Sequence, residues 1–104
     1  MYSQDKIQQL VDKIKDSIQP DKIYLFGSYA SGTPSEHSDI DICIIKNDSK
    51  DKNQELIKVK KATYYLGIPM DILLFKEKDF AKRKDIWGSV QYEIFHKGKK
   101  LYER

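Results

Sequence analysis

The chain holds a single cysteine, Cys43, among 104 residues, so no internal disulfide can staple it, which fits a reducing compartment. No apolar run approaches the roughly 20 residues of a membrane span, and the opening MYSQDKIQQL has neither a basic n-region nor an apolar h-region. These absences lead to the expectation of a cytoplasmic chain without membrane association. A Rossmann dinucleotide site is excluded because no G-x-G-x-x-G follows the first strand, and a P-loop because the Gly-Lys-Ser/Thr ending is missing. Internal repeats and low-complexity linkers are also absent. A chain of this length has room for one modest core, so residues 1–104 are expected to form one domain without a separate substrate-binding domain.

What the chain does have is charge. Charged residues make up 34% of it and hydrophobic residues 39%, the former above the roughly 25% typical of soluble proteins. The net charge is only +3, and lysines mix with acids except around Lys58, Lys60 and Lys61 and from Lys76 to Lys84. Those stretches read as solvated faces with at most a weak, salt-dependent attraction for phosphates. Direct nucleic-acid binding is not expected.

The hydrophobic pattern gives the elements. Ile7, Leu10, Val11, Ile14 and Ile18 recur at helical spacing, Ser3 is placed to cap them, and Pro20 stops the helix. Lys22 to Phe26 reads as a buried strand closed by Gly27, and residues 28–38 as a loop with one helical turn after Gly27. Asp39 to Lys46 is the clearest strand. Leu56, Val59, Ala62 and Leu66 then share a helical face ended by Gly67, and Met70 to Phe75 forms a third strand. Lys76 to Asp85 is charged, with a helical turn near Phe80. Ile86, Val90 and Ile94 suggest a last helix closed by Gly98, and Lys99 to Glu103 an edge strand. Alternating elements of this kind imply an α/β or α+β fold, with a small mixed sheet of three to four strands flanked by helices.

Residues two apart on a strand point the same way, so Asp39 and Asp41 project together, opposite Ile40, Ile42 and Ile44. Their Cα atoms lie roughly 6.6 Å apart at about 3.3 Å per residue. Carboxylates this close repel unless a cation or proton intervenes. With oxygen ligands and phosphate substrates the natural cation is magnesium. Asp71 is the one carboxylate in the third strand. If that strand lies beside the second, Asp71 completes a three-carboxylate cluster suited to two metal ions. Gly27 and Ser28 can cradle a triphosphate, through backbone amides that a glycine leaves accessible and through a hydroxyl. Taken singly, a Gly-Ser turn or an Asp-x-Asp at a strand start is most often structural. All four in one frame would arise by chance in about one chain of this length in a thousand.

Gly27-Ser28, ten residues, then Asp39-x-Asp41 resembles the signature of the DNA polymerase β-like nucleotidyltransferase superfamily. The stretches KIYLFGS, SDIDICII and KGKKLYE resemble its smallest members, the minimal nucleotidyltransferases found beside HEPN-domain proteins. The resemblance covers nearly the whole chain. It implies the polymerase β-like fold, magnesium binding by Asp39, Asp41 and Asp71, a triphosphate held by Gly27 and Ser28, and Asp71 nearest the acceptor. It further implies ATP as substrate and, as partner in a hetero-oligomer, a HEPN toxin that is silenced by adenylylation of a tyrosine. The chain departs from many relatives at Ser31, where they carry an arginine able to contact phosphate. Lysines of the Lys58–Lys61 or Lys76–Lys84 stretches are candidates to replace it.

His37 reads as an exposed loop residue, His96 as a helix-end residue favoured by the dipole, and Cys43 as a small core residue. Trp87, Tyr64, Tyr65 and Tyr92 are candidates for core or interface. Two other functions stay open: a module that neutralises a partner by contact alone, and nucleotidyl transfer to RNA or a small molecule.

Overall fold

The computed structural model describes residues 2–34 and 38–104, so His37 lies outside the described residues. The first helix, α1 (Gln4–Ile18), starts where the Lys6 amide donates to Ser3 Oγ at 3.2 Å. It ends at Gln19 in the left-handed conformation with φ 52°. Its apolar stripe of Ile7, Leu10, Val11, Ile14 and Ile18 is buried. The last carbonyl of that stripe, Ile18 O, accepts from Lys46 Nζ at 2.6 Å, and the same ammonium pairs with Asp48 at 3.1 Å. A nearly buried lysine is tolerated there because it satisfies a helix-end carbonyl and has a counter-charge.

β1 (Lys22–Phe26), the four-residue α2 (Ser28–Ser31) and β2 (Ile40–Ile45) follow. The next helix, α3 (Lys52–Thr63), is capped by Asp51, which accepts from the amides of Asn53 and Gln54, and runs into a 3-10 turn over Tyr64–Leu66. β3 (Met70–Phe75), α4 (Glu77–Arg83), α5 (Val90–Lys97) and β4 (Lys99–Glu103) complete the chain. The strand order is β3-β2-β1-β4. β2 pairs parallel with β3, whereas β1 pairs antiparallel with both β2 and β4. The sheet is therefore mixed, with β4 at an edge as expected.

Period-two alternation divides the apolar residues between two cores. Ile23, Leu25, Ile40, Ile42 and Ile44 pack with the α1 stripe, Val59 and Leu66 on one face. On the other face, Tyr24, Cys43 and Ile45 pack with Phe80 of α4 and Ile94 of α5. β2 lies between two neighbours and under helices on both sides, so its residues from Ile42 to Ile45 are all fully buried.

Three expectations change. The last helix begins at Val90: Gly88 adopts φ +89° and Ser89 Oγ accepts from the Tyr92 amide, which leaves Ile86 in the preceding turn and 48% exposed. Lys76 to Asp85 holds a seven-residue helix, anchored by the ring of Phe80 stacked on Tyr24 at 5.7 Å. Asp39 stands one residue before β2 and not within it. Trp87, Tyr64 and Tyr65 are exposed and so are not core residues. His96 does sit in the last turn of α5, where its Nε2 meets Asp85 Oδ1 at 2.9 Å. No helix among the described residues is long and apolar enough to cross a membrane.

Candidate active site

The sheet brings the two strand-borne carboxylates together through register. In the parallel pair, Asp41 stands opposite Asp71, and the Ile40 amide donates to Pro69 O at 3.1 Å just before them. In the antiparallel pair, Phe26 stands opposite Asp41. A row of Phe26, Asp41 and Asp71 thus crosses three strands at one end of the sheet. Asp41 shares its sheet face with Cys43 and Ile45, which lie deeper under α4 and α5. Asp41 is half-buried, whereas Asp71 and Asp39 are exposed.

Gly27 closes on this row from β1. Its φ is +72°, a region that favours glycine, and a Cβ placed there would lie 2.1 Å from Asp41 Oδ2. The turn therefore requires glycine twice, once for conformation and once for space. α2 begins immediately after it, with Gly27 O accepting from the amides of Ala30 and Ser31 at 3.1 Å each. Ser28 thus opens the helical turn beside Asp41. The Ser31 hydroxyl donates to Ser28 O at 3.1 Å and lies 2.9 Å from Thr33 Oγ1, so it serves the turn itself.

The electrostatics follow from this packing. Burial, then the charges of Asp71 and Asp39, then a side-chain hydrogen bond with Asp71 together hold the Asp41 carboxyl above the usual carboxylate range. Asp39 and Asp71 are thus near enough to act on Asp41. Among the described residues, no three His, Cys, Asp or Glu side chains converge in metal-ligating geometry. The arrangement is a facing Asp41–Asp71 pair with Asp39 at its margin. A divalent cation fits the chemistry of that pair, because it would offset the burial and the repulsion that raise Asp41 and would meet only oxygen donors. Burial pushes the nearby Cys43 thiol up to about 12, so it stays a protonated, unreactive core group.

Of the lysines named as candidates to replace the missing arginine, Lys76 and Lys78 lie past the carboxyl ends of β2 and β3, away from the site, whereas Lys60 lines a cavity with Pro69 and Met70, the two residues before Asp71. The cation beside the Gly27 turn is Lys97. It lines a cavity of about 400 Å³ with Phe26, Gly27, Ser31, Val90 and Glu93, and pairs with Glu93 at 3.3 Å. Its place is fixed by Gly98, where a Cβ would lie 2.4 Å from Ile94 O and 2.8 Å from Leu25 O, so the end of α5 touches the β1 backbone. Sequence reasoning missed Lys97 because 68 residues separate it from Ser28, and only the pairing of β4 with β1 returns it. The KGKK stretch was visible, but nothing local aims it at the turn.

Comparison with known proteins agrees with this architecture. Residues 6–104 match the family model described as polymerase beta, nucleotidyltransferase. A curated relative, the protein adenylyltransferase MntA of Shewanella oneidensis, is 28% identical over 91 residues, which cover 80% of this chain and 66% of the relative. The chain thus spans just under two thirds of that relative's length. A crystal structure of a toxin-antitoxin with AMP-PNP aligns with a TM-score of 0.67 at 26% identity, over 99% of this chain and 75% of the matched one. A structure of the tri-AMPylated Shewanella oneidensis HEPN toxin in complex with MNT antitoxin aligns with a TM-score of 0.64, over 97% of this chain and 72% of the matched one. At 22% identity the latter speaks for the fold alone. With a family match over nearly its whole length and a sheet that sets Gly27, Asp41 and Asp71 side by side, the chain belongs to the polymerase beta nucleotidyltransferase family.

Proposed function

We propose that residues 1–104 act as one minimal nucleotidyltransferase domain that transfers AMP from ATP to a tyrosine of a HEPN toxin, and so serve as its antitoxin in the cytoplasm. The observation that carries this reading is the row of Asp41 and Asp71 in register with Gly27 closed onto Asp41. Kinship with a protein named as an adenylyltransferase, and likeness to a toxin-antitoxin structure holding AMP-PNP, support the nucleotide and the acceptor class.

In this reading Gly27 and Ser28 hold the triphosphate and Lys97 adds positive charge at its edge. Magnesium, as two ions held by Asp39, Asp41 and Asp71, would supply the charge that offsets the triphosphate at the reacting phosphorus. Asp71, the most exposed of the facing pair, takes the proton of the acceptor hydroxyl. The acceptor oxygen bonds to the α-phosphorus, the bond from that phosphorus to its bridging oxygen breaks, and pyrophosphate leaves.

Incubation with base-labelled ATP, magnesium and a HEPN partner tests this reading against a control carrying Asp39→Asn and Asp41→Asn. Label on the partner that vanishes in the control is the expected result. A partner inhibited equally by both proteins, with no label, would replace the reading with neutralisation by contact, for which the absence of a cation at Ser31 is the favouring feature. Label on RNA or on a small molecule alone would move the acceptor class.

A further inference from the structure

We propose that the cavity outside the carboxyl ends of β2 and β3 is a second ligand site, one that binds a compact polyphosphorylated small molecule. Its volume is about 430 Å³, within the range of small-molecule sites. Asp41 and Asp71 stand at the amino ends of these two strands. Ile45, at the far end, lies four residue steps from Asp41, about 13 Å at 3.3 Å per residue. The two sites therefore lie at opposite ends of one parallel pair, and crevices beyond the carboxyl ends of parallel strands are where open α/β sheets commonly bind ligands.

The lining is one-sided in charge. Lys46, Lys50, Lys52, Lys76 and Lys78 contribute to it, against the single carboxylate of Asp79. Lys46 is neutralised by Asp48 and held by Ile18 O. Among the described residues, none of Lys50, Lys52, Lys76 and Lys78 forms a salt bridge. The loop after β2 and the start of α4 also carry Asp48, Asp51, Glu77 and Asp79, but Asp48 pairs with Lys46, Asp51 caps α3 and Glu77 pairs with Lys22, which leaves the unpaired lysines of the lining to attract an anion. Two details add shape to the charge. Lys52 Nζ stands 5.5 Å over the ring of Phe75, which holds one ammonium at the cavity floor. Ser49 lies on the same lining, and its Oγ, enclosed by protein, has no hydrogen-bond partner, so a rotation about its Cα–Cβ bond would be needed to bring the hydroxyl to a bound phosphate oxygen.

Several lysines around a small concave volume suit a dense cluster of phosphates, since each ammonium acts as a point charge without a fixed fork. An extended nucleic acid would call for a stripe of charge, whereas these lysines surround one crevice and the net charge of the chain is only +3. The inference is independent of the transfer reaction, because it concerns the opposite end of the sheet.

The test is a titration of the ¹⁵N-labelled full chain with inorganic tripolyphosphate in EDTA, where the carboxylate end repels the probe. The expected result is saturable amide shifts centred on residues 46–52 and 76–79. The triple variant Lys50→Ala, Lys76→Ala, Lys78→Ala is expected to weaken binding at least tenfold. The triple variant Lys58→Ala, Lys60→Ala, Lys61→Ala removes the same charge from α3 and should change it less than twofold. Equal loss in both variants would reduce the effect to diffuse charge and overturn the site, as would shifts centred on Gly27 and Asp41. So would a single-stranded RNA that binds more tightly than tripolyphosphate with shifts spread over several faces. Thermal melts of both variants confirm that they are folded, since all six positions are exposed.

Discussion

Gly27 and Asp41 compete for one volume: a Cβ on the glycine would sit 2.1 Å from the carboxylate Oδ2 of the aspartate. The backbone turn and the carboxylate position are thus set by the same contact. A side chain at position 27 would displace that carboxylate.

Replacement Gly27→Ala tests this coupling. The positive φ alone costs a side chain about 1 to 3 kcal/mol, and the clash must also displace the Asp41 carboxylate from its present position. Urea denaturation should show a loss in that range. Nucleotidyl transfer should fall by far more than the loss of folded protein explains, because the carboxylate row is broken in molecules that remain folded.

The raised Asp41 pKa makes a pH prediction for the metal-free protein. A carboxyl whose folded-state pKa lies above its unfolded value binds its proton more tightly when folded, so ionising it destabilises the fold. Stability contributed by protonated Asp41 is present at low pH and lost as pH rises from the usual aspartate range, about 3.9, through the raised value. The difference in melting temperature between wild type and Asp41→Asn should therefore favour the variant above that window and shrink below it. Adding magnesium at neutral pH should raise the melting temperature of wild type and leave that of Asp41→Asn nearly unchanged. Equal melting curves at every pH would show that Asp41 feels neither burial nor Asp71.

Lys97 should act on the triphosphate and not on the proton transfer. Its ammonium is largely exposed and shared with Glu93, so its contribution is set at about 1 kcal/mol, or roughly fivefold in affinity. Steady-state kinetics of Lys97→Ala should show KM for ATP raised by about that factor, with kcat little changed. Lys97→Arg should restore it. A fall in kcat with KM unchanged would place Lys97 in some other role.

Much of this was legible in the chain itself. The α1 stripe is a strong period of 3.6 with its own cap in Ser3, and β2 is a run of isoleucines between Asp39 and Lys46, so both elements stand on local signals. α4 was harder to see. Its lysines and acids hide a single anchoring residue, Phe80, whose ring finds Tyr24 and Phe75 only after the sheet has formed. The start of α5 turned on Gly88 and Ser89, where a cap outweighs the apolar periodicity that had drawn Ile86 into the helix.

The sequence by itself determined the elements and the residue types of the site, because period, caps and turn residues act over a few neighbours, and Gly27-Ser28 and Asp39-x-Asp41 are local patterns. The tertiary structure decided which of those residues meet. The parallel register of β2 and β3 put Asp71 opposite Asp41, the antiparallel return of β1 set Gly27 against Asp41, and the β4–β1 pair carried Lys97 back to the Gly27 turn. Strand order is settled by which apolar faces can be covered at once by α1 and α3 on one side and α4 and α5 on the other. That is a property of the whole packed core, and no stretch of the chain contains it.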